Sequence, residues 1–256
     1  MTIDLDAYFT RIGYAGPRDP NLKVLRAIHA HHPMAIPFEN LDPLNGRPIK
    51  LDHASLEAKL VQSNRGGYCF EQNTLLKAVL DQLGFKTTIL TGRVLWMLPP
   101  EAPMPTRIHM ILRVDLPEGA WIADVGFGGH LSTAPVKLEL ETVQETPAGT
   151  LRLAPHESGA LTLQLRHDKT GEWLNVYRFT LDEVLPIDIE LANWFTSTHP
   201  TSRFVKEAVI QKLTPDCRIS LVGSKLTRRW ADGRVEEEIL SDEARSSVIA
   251  GNFTLR

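Results

Sequence analysis

Apolar residues recur at three- and four-residue steps through the first third of the chain and at two-residue steps through the middle. That change of period divides the sequence. Leu5, Tyr8, Phe9 and Ile12 share one helical face, Leu22, Leu25 and Ile28 share another after the cap-and-first-turn pair Asp19-Pro20, and Leu56 and Leu60 continue the pattern. From Phe70 to Leu83 the positions Leu75, Leu76, Val79, Leu80 and Leu83 mark an amphipathic helix, with Gly84 as its stop. A helical bundle is predicted for residues 1–85. Residues 86–190 carry short alternating runs, among them Thr87 to Leu90, Val94 to Trp96, Leu161 to Leu165 and Trp173 to Tyr177, broken by Pro and Gly, and these predict an antiparallel sheet or small barrel. Residues 191–256 mix a helix at Leu191 to Thr198, strands at Arg218 to Val222 and Leu226 to Trp230, a turn at Asp232-Gly233, and a last helix from Ser241 to Ala250 capped by Gly251.

Chemistry enters at Cys69, in the run Arg65-Gly66-Gly67-Tyr68-Cys69-Phe70-Glu71-Gln72-Asn73 at the start of the predicted Phe70 helix. Unpaired N–H groups and the positive end of the helix dipole stabilise negative charge on a sulfur placed there. A lone cysteine more often only packs. Arg107 to Val114 changes the balance, because Ile108, Met110, Leu112 and Val114 alternate with Arg107, His109, Ile111 and Arg113 as on a strand, with His109 off the purely apolar face. After the turn-type sequence Leu116-Pro117-Glu118-Gly119, Trp121 to Val125 reads as the returning strand, with Asp124 opposite in facing to Trp121, Ala123 and Val125. A hairpin about Pro117-Glu118 sets Ile111 against Asp124 and His109 against Gly126, so His109 and Asp124 become diagonal neighbours on one face, about 7–8 Å apart at Cα. A slip of one residue would separate them. Nucleophile, base and orienting carboxylate then follow in the order Cys69, His109, Asp124.

Composition narrows the function classes. A chain of 256 residues with 43% hydrophobic positions buries a sizeable core, and a net charge of −3 gives no basic field for nucleic acid or an anionic membrane. No apolar run reaches the roughly 18–20 residues of a membrane span, and Met1 to Asp4 does not open a signal peptide, so a cytoplasmic protein is expected. Two distant cysteines, Cys69 and Cys217, suit a reducing compartment, with Cys217 packing or at the surface. His29, His31 and His32 lack ligand spacing with any cysteine or carboxylate and read as the solvated, frayed end of a helix, so no metal is expected. Gly126, Gly128 and Gly129 around Phe127 lack the spacing of a phosphate loop and read as a turn.

The Arg65–Asn73 run, Ile36-Pro37-Phe38-Glu39-Asn40-Leu41, His109 and Asp124-Val125-Gly126-Phe127-Gly128 together resemble the arylamine N-acetyltransferases. The similarity continues in Tyr8 to Gly16 and in Thr201-Ser202-Arg203-Phe204, strong through about residue 130 and thin in the last third. It implies an α+β fold with a papain-like cysteine core: residues 1–85 as a helical bundle carrying Cys69, 86–190 as a β-barrel carrying His109 and Asp124, and 191–256 as an α/β lid. It also implies ping-pong transfer of acetyl from acetyl-CoA, through Cys69 with His109 and Asp124, to small arylamines or hydrazines. Phe38, Val94, Phe127 and Phe204 are expected to line the amine pocket, Thr106 and Thr201 to meet CoA, and Arg65 to pair with Glu39 behind the cysteine. Met104-Pro105-Thr106-Arg107 departs from the family in lacking the small Gly often found in that loop. Transglutaminases and cysteine proteases use the same Cys-His-Asp order on a papain-like core and take their acyl group from a peptide.

Overall fold

The computed structural model describes residues 2–99, 101–128 and 133–253. Helices come first: α1 (Leu5–Ile12), α2 (Leu22–Ala35), the short α3 (Leu41–Leu44), α4 (His53–Leu56), which runs on into a π-helical turn over Glu57–Gln62, and α5 (Cys69–Gln82). Asp4 caps α1 by accepting from the Ala7 N–H, and the cap of α2 lies two residues later than the expected Asp19, at Asn21, which accepts from the Val24 N–H. Gly84, at φ +88°, ends α5 as expected.

Eight antiparallel strands follow: β1 (Lys86–Val94), β2 (His109–Leu116), β3 (Gly119–Ala123), β4 (Val136–Lys137), β5 (Gln144–Thr146), β6 (Gly149–Pro155), β7 (Leu161–Arg166) and β8 (Trp173–Phe179). Their spatial order is β4-β3-β2-β1-β8-β7-β6-β5. The two edges meet through a side chain: the Gln144 amide accepts from the Lys137 N–H at 2.8 Å and donates to the Lys137 carbonyl at 2.9 Å, standing in for a ladder pair and nearly closing a barrel. The rest of the chain forms α6 (Pro186–Thr198), a four-stranded sheet of β9 (Val209–Leu213), β10 (Cys217–Val222), β11 (Lys225–Trp230) and β12 (Val235–Ile239), and α7 (Asp242–Asn252). α6 starts at Pro186, earlier than its apolar spacing predicts, because proline is favoured in the first turn. α7 runs past Gly251 to a cap at Phe253.

Period-two alternation gives β1–β3 two different faces, and both are covered. Ile89, Met110, Leu112, Val114, Trp121 and Ala123 pack with Phe70, Leu75, Leu76, Val79 and Leu80 of α5 in the largest core, whereas Leu90, Ile111 and Ile122 fill the barrel with Leu151, Leu153 and Val176. Full burial of each such large side chain is worth about 1.5–3 kcal/mol, so α5 is held firmly to the sheet. His109 therefore does not lie on an open polar face; it is buried at the barrel end of β2. Segment 37–39 threads between α5 and the second sheet. Phe38 exchanges both backbone hydrogen bonds with Gln211 of β9, while Glu39 N–H donates to the Gly67 carbonyl and Gly67 N–H to the Pro37 carbonyl.

Candidate active site

Cys69 is the first residue of α5, behind the N-cap Tyr68, and is buried. Local sequence sets this junction. Glu71 reaches back to the Tyr68 N–H (3.1 Å), and a side chain at Gly66 would collide with the Pro37 carbonyl, so the strand-like approach of 37–39 demands glycine there. Behind the loop lies an ion cluster. Arg65 bonds Glu39 (2.6 Å) and Asp42 (2.9 Å), and Lys59, brought in by the π-helical turn, bonds Asp42 (2.7 Å) and Glu71 (2.6 Å). The expected Arg65–Glu39 pair is present, within a larger network. Burial pushes the Glu71 carboxyl up, Lys59 pulls against it, and the group stands at about 7.

The hairpin register decides the rest. Leu112 faces Ala123 and Leu116 faces Gly119, the register expected from a turn at Pro117-Glu118, and one step further it sets Ile111 against Asp124. His109 Nε2 lies 2.7 Å from Asp124 Oδ2. Burial works against a charged imidazole, but the Asp124 carboxylate and then the Cys69 sulfur outweigh it and hold His109 up at about 10. Burial likewise opposes the Asp124 charge, and His109 with two hydrogen bonds on Oδ1, from Asn73 Nδ2 and the Gly126 N–H (both 2.9 Å), keeps the carboxyl below its ordinary value. Cys69 Sγ also sits 3.8 Å from the Ile108 carbonyl, at the threshold of β2.

Several residues that sequence reasoning passed over complete this geometry. Asn73 donates to Met110 O (2.8 Å) and Asp124, and accepts from Val125 N–H (3.0 Å), tying α5 to β2 and to the end of β3. Its place four residues after Cys69, on the same helical face, was a usable signal. His29 accepts the Asp124 N–H at 3.0 Å, and no local pattern announces a contact across 95 residues. The reading of His29, His31 and His32 as a frayed, solvated end is overturned. His29 and His32 are fully buried within α2, and His31 is half-buried beside the Ile12 carbonyl. Burial pushes His32 down to about 3, so the neutral ring accepts from Tyr8 OH (2.8 Å) and donates to Gln72 Oε1 (2.7 Å), while Gln72 donates to the Pro37 and Gly67 carbonyls. The line Tyr8, His32, Gln72 thus braces the approach to Cys69. Tyr68 OH adds another tie, donating to Asn193 Oδ1 on α6.

The expected pocket aromatics fall in two touching groups. Phe38, Phe204 and Tyr68 form one, with ring centroids 6.0 and 5.7 Å apart; Phe127, Tyr177 and His109 form the other, at 5.2–5.7 Å. Val94 pairs with Tyr177 across β1 and β8, and the Phe127-Gly128 bend closes on Phe38. Gly129 lies outside the described residues. Thr106 and Thr201 are exposed, Thr201 bonded to His199 (2.8 Å), and neither hydroxyl hydrogen-bonds to Cys69, His109 or Asp124. Among the described residues no group of three or more His, Cys, Asp or Glu is placed to hold a metal ion, and no helix is long and apolar enough to cross a membrane.

An N-acetyltransferase family model matches residues 21–256. An arylamine N-acetyltransferase of Mycolicibacterium smegmatis is 45% identical over 230 residues, covering 88% of this chain and 82% of that protein. The chain belongs to the arylamine N-acetyltransferase family. Solved structures of the family agree over nearly the whole fold. The Mycobacterium marinum arylamine N-acetyltransferase superposes with a TM-score of 0.92 at 40% identity, covering 98% of this chain and 92% of that one, and the same enzyme in complex with CoA gives 0.91 at 40% identity, again covering 98% and 92%. The α+β, papain-like architecture implied by the sequence resemblance is thereby established for this acyltransferase.

Proposed function

We propose that the protein transfers an acetyl group from acetyl-CoA to the nitrogen of arylamines or arylhydrazines by a ping-pong route through acetyl-Cys69. The observation that carries this reading is the buried 2.7 Å bond between His109 Nε2 and Asp124 beside a cysteine at a helix N-terminus. With Nε2 committed to the carboxylate, Nδ1 is the ring nitrogen that takes the Cys69 proton. His109, held up at about 10 by Asp124, is suited to take that proton, and a thiolate–imidazolium pair is the reacting form in this route.

The thiolate attacks the thioester carbonyl, the bond from that carbon to the CoA sulfur breaks, and the imidazolium protonates the departing thiolate. Acetyl-Cys69 remains, with neutral His109. The amine nitrogen then attacks the acetyl carbon, His109 takes a proton from nitrogen, and the bond to Cys69 breaks to release the amide and restore the ion pair. Negative charge on oxygen develops twice, and the first-turn N–H groups of α5 are the donors for it. The Gly126 N–H is already spent on Asp124. Phe38, Val94, Phe127 and Phe204 supply apolar, ring-stacking walls for a flat amine. Thr106 and Thr201 offer hydroxyls to CoA, and a relative solved in complex with CoA supports that cosubstrate. We place the reaction in the reducing cytoplasm, where Cys69 and Cys217, both outside any disulfide, stay reduced.

The test is intact-protein mass after mixing with acetyl-CoA and no amine. One added acetyl group, mapped to Cys69 and discharged by an arylamine, is expected. Absence of the adduct together with hydrolysis of peptide or glutamine amides would move the protein to the protease or transglutaminase class.

A further inference from the structure

Three arginines converge where the proposed mechanism has no use for them. Arg93 at the end of β1, Arg178 on β8 and Arg107 on the loop entering β2 line one cavity of about 290 Å³, together with the hydroxyl-bearing Ser158 and Thr180. Arg93 and Arg178 are directly opposite in the β1–β8 ladder. Facing positions on adjacent strands put Cβ atoms roughly 4.5–5.5 Å apart, and like charges there are destabilising. Among the described residues no carboxylate forms an ion pair with any of the three. Arg93 Nη1 donates to the Pro105 carbonyl at 2.5 Å, which binds the 107-bearing loop to the barrel but does not neutralise charge. Arg178 Nε is buried with no hydrogen-bond partner. An orphaned buried donor is costly and points to a missing acceptor.

The cavity lies on a different side of the sheet from His109. Ile89 faces the α5 core and Leu90 the barrel interior, so alternation puts Arg93 on the outer face and Gly92, the ladder partner of His109, on the inner one. Tyr177 and Phe179 flank Arg178 with their rings in the barrel cluster, although Phe179 also borders the cavity. Beside Met104, Ala160 and Phe179, the pocket presents three planar forks of N–H donors and two hydroxyls, a donor set that suits a compact, multiply charged oxyanion.

We propose that Arg93, Arg107 and Arg178 form a phosphate-binding site on the outer face of the barrel. The occupant is a phosphate monoester or diphosphate, carried by CoA or free in solution. A bound phosphoryl group accepts from Arg178 Nε, bridges the opposed guanidiniums and removes their repulsion.

Thermal unfolding of the full chain tests the site without any turnover. At matched ionic strength, 10 mM inorganic phosphate is expected to raise the midpoint by about 2–4 °C over sodium chloride. Arg178→Gln and Arg107→Gln should each lose that increment. The second substitution sits at an exposed position, so its loss is not a folding defect. A phosphate response no larger than chloride's, or one that survives in both variants, overturns the proposal. A second arm, which rests on the proposed acetyl transfer, compares acetyl-CoA with 3′-dephospho-acetyl-CoA. A KM ratio of tenfold or more that collapses in Arg178→Gln assigns the phosphate to CoA; a ratio near one alongside a retained thermal response assigns it to a free phosphoanion.

Discussion

Replacing Gly126 by alanine probes how closely the segment after β3 must approach Cys69. A Cβ at this position would lie 2.7 Å from Cys69 Cα, 2.8 Å from Asn73 Nδ2 and 3.0 Å from Cys69 O. Gly126 does not have positive φ, so alanine meets no backbone obstacle of its own and the cost is purely one of space. Ordinary contact begins at 3.4 Å, so the first turn of α5 and the 124–126 segment must separate by about 0.7 Å at the tightest contact. That separation enters the site directly, because Cys69 rides on one side of it and Asp124 with His109 on the other. A misplacement of about 1 Å costs on the order of 100-fold in rate, so acetylation of Cys69 should slow by roughly tenfold to 100-fold. Overpacking adds a loss of about 1–3 kcal/mol, each kcal/mol worth roughly 2–4 °C in a chain of this size. Rapid-quench mass measurement of acetyl-Cys69 and calorimetric unfolding read both quantities. Gly251→Ala, where nothing lies within 4 Å, is the control. If Gly126→Ala acetylates within twofold of wild type and melts within about 1 °C of it, the close-approach argument is wrong.

Lys59→Met removes the cation that Asp42 and Glu71 share and leaves Glu71 without its ion-pair partner while Asp42 keeps Arg65 and the exposed Arg47, so urea unfolding should show a loss of about 3–5 kcal/mol; a loss under about 1 kcal/mol would mean the cluster is screened by solvent. The raised His109 value makes stability pH-dependent with a definite sign. The contribution is complete below about 6.5 and is lost as pH rises through about 10, so Asp124→Asn should flatten the fall in unfolding free energy between pH 7 and 10.5, and parallel curves for the two proteins would refute the coupling. The same substitution should slow transfer by about 10³–10⁴, as loss of an orienting carboxylate does elsewhere, read as single-turnover acetylation.

Local pattern was enough for much of this protein. The three- and four-residue steps that place Cys69 in the first turn of α5 and the alternation of β2 are properties of neighbouring positions. The hairpin register follows from a turn four residues long, so the juxtaposition of His109 and Asp124 was legible before any coordinates. What periodicity reports is which residues share a face, and it is silent on what covers that face. A buried polar residue has the same sequence signature as a solvated one until its partner is known. For that reason His29 and His32 read as surface residues, although α5 and the end of β3 enclose them. Distant pairings share this character: Gln144 sealing the barrel against Lys137, and Arg93 set against Arg178 by strands some 80 positions apart, depend on how the sheet closes. The sequence by itself determined the elements, their faces, the helix-start position of Cys69 and the His109–Asp124 juxtaposition, because short-range sterics and spacing suffice for those. Only the tertiary structure decided the braces around them and the opposed arginines, since these exist only where segments remote in the chain are packed together.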